Sequence, residues 1–125
     1  MENKQKGASL YFALDILSIL MAIVVALSTI ILIQLKTIKE AGDSVVAFYA
    51  ADTGIEKALY EASKNGAEPE DTFYGEFLDN FEPVASYQAT IIATSTTGCQ
   101  SKYYCIKSTG TYIPSNTKRA IQIKR

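Results

Sequence analysis

The chain contains no histidine among its 125 residues. Catalytic triads built on an imidazole base are therefore excluded. So are ordinary zinc sites, because two cysteines are the only soft ligands left. No phosphate-binding loop and no nucleophile–base pair can be picked out. Charge is almost missing from Ala8 to Leu35, where 28 residues carry only Asp15. Acids are missing altogether from residues 83–125, which hold six basic side chains. These absences point to a membrane-anchored protein that is not an enzyme and that needs no cofactor or metal ion.

What is present begins with that uncharged run, ASLYFALDILSILMAIVVALSTIILIQL. As a helix it measures about 42 Å, against roughly 30 Å for the hydrocarbon core of a bilayer. Helix is the only open-chain form that satisfies its own backbone in lipid. Ser18, Ser28 and Thr29 can bond back to preceding carbonyls. Lys4 and Lys6 precede the run; Lys36 and Lys39 follow it, close to Glu40 and Asp43. That balance favours an N-terminus on the cytoplasmic side. The run exceeds the apolar region of a secretory signal peptide, roughly 7–15 residues. A small-residue site, Gly7–Ala8, lies before it. Cleavage there removes a basic leader, residues 1–7, and leaves the helix on the mature chain. Asp15 has two readings. It either snorkels to the nearby interface, or it matches a cation on a partner during assembly, since a carboxylate inside lipid costs roughly 2.5–3.5 kcal/mol.

A helical pattern continues beyond Leu35. Ile38, Ala41, Val45, Phe48, Ile55, Leu59 and Ala62 recur at steps of three and four with one longer gap. Residues 36–65 are thus expected as an amphipathic continuation, ending at Asn65-Gly66, with Gly66 suited to a left-handed cap. The predicted helix spans residues 8–64, roughly 85 Å. Gly42 and Gly54 mark bends or close contacts within it.

Charge is divided by region. Residues 1–39 hold four lysines and two acids, residues 40–82 eleven acids and two lysines, and residues 83–125 six bases. Such a chain can attract copies of itself or other partners, or neutralise itself within one domain. Residues 66–83, GAEPEDTFYGEFLDNFEP, are expected as an acidic loop with one helical turn around Gly75–Leu78. Its six acids are either solvated or hold calcium, although the spacing is not that of an EF-hand.

Residues 84–125 carry three strand signals. Alternation runs through Tyr87–Thr94 and again through Arg119–Lys124; Tyr103–Ile113 is β-rich, with a bulge or turn expected near Gly110. The predicted fold class is α+β, a long N-terminal helix whose second half packs on a small antiparallel sheet. Cys99 and Cys105 flank a turn between the first two strands. They either form a disulfide, as an extracytoplasmic domain permits, or remain free thiols. Tyr103, Tyr104 and Tyr112 mix with Lys102, Lys107, Lys118, Arg119, Lys124 and Arg125. That composition suits single-stranded nucleic acid but equally a solvated basic edge, and nucleic acid is not the expected partner.

The leader MENKQKG, the apolar helix after it and the stretch AFYAADTGIEKALYEA at Ala47–Ala62 together resemble type IV pilin-like proteins. The second stretch looks like the helix of PilX-type minor pilins and of type II secretion-like pseudopilins. The resemblance covers about residues 1–64 and implies a long helix, half of it protruding, that carries a small antiparallel sheet. It implies that prepilin peptidase cuts after Gly7 and that Ala8 becomes the N-methylated first residue. Major pilins carry glutamate at the fifth residue after the cut; here that residue is Phe12. The tip pseudopilin of type II secretion also lacks it, so the resemblance implies a minor subunit, with Phe12 and Asp15 as the assembly residues. Other pilin or pseudopilin subunits, prepilin peptidase and the lipid membrane are the implied partners. The alternative is a signal-anchored extracytoplasmic binding protein, an adhesin or DNA-uptake receptor that does not polymerise. An enzyme would require a cleft with perturbed acids, sought first among residues 68–82.

Overall fold

A computed structural model describes residues 5–94, 98–101 and 103–125, with side chains described from Ala8 onward. Leader residues 1–4 and Lys102 lie outside these. Helix α1 runs Gln5–Tyr60 and passes into a π-helical turn, Glu61–Asn65. Four strands follow: β1 Thr72–Asp79, β2 Glu82–Ala93, β3 Tyr104–Tyr112 and β4 Thr117–Lys124. They form one antiparallel sheet in the order β1-β2-β3-β4. The chain divides into two compact units, Met1–Lys39 and Glu40–Arg125.

The long helix, the antiparallel sheet and the α+β class agree with the sequence-based expectation. The helix ends where Gly66 takes φ 69°, and its N–H donates to the Glu61 carbonyl. Lys57 and Glu61 pair across 2.7 Å, and Asn65 donates a further hydrogen bond to Glu61. The bond from Lys57, then that from Asn65, holds the Glu61 carboxyl below its ordinary range; the same Glu61 bond raises Lys57.

Three expectations need correction. Of residues 66–83 only 66–71 are a loop: Thr72–Asp79 is strand β1, paired in register with β2 from Thr72↔Thr90 to Phe77↔Ala85, with a bulge after Phe77. No helical turn forms at Gly75–Leu78. The sheet therefore starts at Thr72, before the expected boundary at residue 84, and β2 begins at Glu82. Strand β3 passes through Gly110 without bulge or turn. The buried stripe of α1 is displaced in its first half, while Ile55, Leu59 and Ala62 pack on the core as expected. Val45 and Phe48 are exposed, and the residues turned into the domain are Ala47, Ala50, Ala51, Gly54, Ile55 and Ala58.

That stripe explains the contact. Small side chains bring helix and sheet backbones close, so the sheet must be small where they meet. A Cβ on Gly110 would lie 2.0 Å from the Ala47 carbonyl oxygen. One on Gly54 would lie 2.3 Å from Ser108 Oγ. Further along, larger groups fill the gap: Ile55 and Ala58 pack with Ala89, Ile91 and Ile106. Leu59, Phe73, Ile121 and Ile123 border this core. On β1, Gly75 faces Tyr87 in the register, and the tyrosine ring occupies the space a side chain at Gly75 would need. Burial of apolar area, roughly 25 cal/mol per Å², is what holds the helix to the sheet.

Candidate functional site

The apolar half of α1 is the candidate site, because its function depends on what covers it. Every large apolar side chain from Leu10 to Leu35 is at least half exposed or close to it. Phe12 is 70% exposed. The segment is long and apolar enough to cross a membrane, by length and composition. Three of its hydroxyls bond its own backbone. Ser18 donates to the Asp15 carbonyl at 2.8 Å, Ser28 to Val24 at 2.8 Å and Thr29 to Ala26 at 2.7 Å. This is the back-bonding expected from the sequence, and it removes the hydroxyls as an obstacle to lipid. Asp15 stands as the one charge of the segment, exposed on α1. Gly7 and Ala8 both lie within the start of α1, which begins at Gln5. A shallow apolar hollow lined by Leu14, Leu17, Met21 and Val25 runs along one side of the helix.

In the second unit, Cys99 and Cys105 form a disulfide with Cα atoms 5.7 Å apart, both buried. It closes the connection between β2 and β3. Closing a loop this short stabilises a fold by about 2 kcal/mol in the chain-entropy account. Among the described residues, no three His, Cys, Asp or Glu side chains are placed to hold a metal ion. The basic and aromatic residues of the C-terminal strands do not form one row. Tyr104 and Tyr112 stand at opposite ends of β3, roughly 26 Å apart along an extended strand. Phe12 and Asp15 lie on α1 within the first unit, and Cys99 and Cys105 lie in the second.

No protein-family model matches this chain, and neither a curated protein nor a solved structure matches it.

Two features escaped the sequence reading. The first is the β1–β2 turn, Asn80–Phe81, closed by the pair Asp79↔Glu82. Both turn residues have positive φ, 49° and 69°. A two-residue hairpin of this type usually selects Asn-Gly, which is the signal that Asn80-Phe81 lacks. The second is Ser108, fully buried against Gly54, whose Oγ finds no hydrogen-bond partner among the described residues. A hydroxyl buried without a partner forfeits its hydration. Ser108→Ala is therefore expected to leave stability unchanged or raise it by about 1 kcal/mol. Urea unfolding checks this; a loss above about 1 kcal/mol would mean that the hydroxyl is bonded.

Proposed function

We propose that the chain is a minor pilin or pseudopilin, a membrane-stored subunit of a type IV pilus or a type II secretion-like filament. One observation carries this proposal. A single helix, α1, supplies both an apolar segment exposed along its length and the small-residue face on which a disulfide-tied sheet is built. The exposed segment needs lipid or other helices to cover it. Lipid tails and neighbouring helices are similarly apolar, so exchanging one for the other costs little and packing decides the outcome. The subunit waits in the cytoplasmic membrane with its N-terminus inside and the sheet domain outside, then repacks against sister helices.

In this scheme prepilin peptidase cuts between Gly7 and Ala8, and Ala8 carries the methyl group. Phe12, in place of the glutamate of major pilins, makes a minor position in the filament the better fit. Asp15 meets a cation or N-terminus of a neighbour. The work is packing and involves no catalysis, cofactor or nucleic acid. Secretion, adhesion and DNA uptake all use such subunits.

The intact mass of the mature protein tests the proposal. A mass lacking Met1–Gly7 and carrying one added methyl group is expected. A chain that keeps its leader in its native membrane would instead be a signal-anchored binding protein that never polymerises.

A further inference from the structure

Among the described residues, Phe81 is the most exposed large apolar side chain, at 97%. It sits at the tip of the β1–β2 hairpin with φ 69°, a conformation that side chains other than glycine rarely adopt. Folding gains nothing from an aromatic ring held in water on a strained turn. Asp79 and Glu82 flank it, paired across the hairpin and both exposed.

The same domain has a hollow of complementary character. Val45, Phe48 and Tyr49 line an open pocket of about 480 Å³ on α1, and Arg119 of β4 stands at its side. Ser44 accepts a hydrogen bond from Arg119 Nε at 2.5 Å, which fixes the guanidinium there. The Phe48 and Tyr49 rings meet edge to face with centroids 6.2 Å apart. Thus one edge of the domain offers an aromatic knob between two carboxylates, and another part of its surface an aromatic-lined hollow beside an arginine.

Both lie at the same end of the sheet. The register carries Ala85 of β2 to Tyr112 of β3, and Tyr112 to Thr117 of β4, so the β1–β2 and β3–β4 turns share that end. They stand at opposite edges, however, because β1 and β4 are the outer strands. A chain's own Phe81 is 97% exposed and so does not fill its own pocket.

We infer that the β1–β2 hairpin of one copy docks into the Val45–Phe48–Tyr49 pocket of a second copy, Phe81 entering the hollow while Asp79 and Glu82 face Arg119. Like ends repel: two hairpins would bring four carboxylates together, and two pockets would oppose their arginines. Contact therefore forms only between unlike surfaces. Each joined copy keeps one unused knob or hollow, so the contact is head-to-tail and does not close as a two-fold dimer. This deepens the filament proposal and rests on it for the identity of the partner.

The test uses the full chain in lipid nanodiscs, with Phe81 replaced by the photoreactive p-benzoylphenylalanine. Irradiation is expected to give cross-linked dimers, with the adduct in the tryptic peptide 40–57 at residues 44–49. Arg119→Glu should cut the yield at least tenfold, and so should Asp79→Arg with Glu82→Arg on the cross-linking chain. Mixing these two reversed variants should restore the yield to within twofold, which a merely misfolded variant could not do. Adducts on lipid alone, adducts on another face of the protein, or failure of the mixture to recover would overturn the contact. Leader processing is followed separately in native membranes. An intact leader alongside adducts at 44–49 would sink the filament proposal and leave the contact standing; a processed chain without such adducts would do the reverse.

Discussion

Gly110→Ala is expected to lower the unfolding midpoint of the sheet domain by about 15 °C, which corresponds to roughly 3 kcal/mol for a domain of this size. The new methyl group would lie 2.0 Å from the Ala47 carbonyl oxygen and 2.5 Å from the Ala51 nitrogen. Both are backbone atoms of α1, so no rotamer change can clear them. Helix and strand must separate, and the contacts of Ile55 and Ala58 with Ala89 and Ile106 loosen with them. Gly42→Ala is the control. It lies on the same helix with nothing within 4 Å, and there alanine should stabilise by up to about 1 kcal/mol through helix propensity. Thermal unfolding in detergent, followed by near-ultraviolet circular dichroism, reads both. A Gly110→Ala protein as stable as the parent would mean that α1 and β3 are not in contact at Ala47.

Gly7→Leu is the second large effect, and it acts on processing and leaves the domain alone. On the filament proposal, a bulky residue before the cut should leave essentially all of the protein as precursor, and no subunit should reach a filament. The sheet domain should fold as before, because residues 40–125 form their own compact unit. Immunoblots of membrane and sheared-surface fractions separate the two outcomes. Normal membrane levels with normal function in the Gly7→Leu strain would leave a simple anchor as the better description.

The helix was legible in the sequence because 28 residues with one charge allow little else. The central strands were legible for a related reason: Tyr87–Thr94 alternates cleanly, and one face of it is buried at Ala89 and Ile91. Two cysteines across a turn left a disulfide and free thiols both open, and the structure has the disulfide. Strand β1 was not legible. Its inward row is Phe73, Gly75, Phe77, and the glycine breaks the alternation exactly where Tyr87 from the next strand supplies the missing bulk. The acids around it read as a loop because they occupy an exposed edge. The first half of the buried stripe of α1 was misplaced because large apolar residues give the stronger periodic signal, while the close approach at Gly110 demands alanines. Val45 and Phe48, chosen as core, line an open hollow instead. The processing and assembly residues Gly7, Ala8, Phe12 and Asp15 rest on the resemblance, since their roles need a peptidase or a neighbour to become visible.

Serine and threonine on the apolar segment already donate to carbonyls one turn back. Between Phe12 and Ile33 this leaves Asp15 as the sole side chain able to tell one position along an adjoining helix from another. On the filament proposal, a stem so uniform would slip lengthwise past its neighbours with little resistance, and axial alignment would fall to the folded sheet domain.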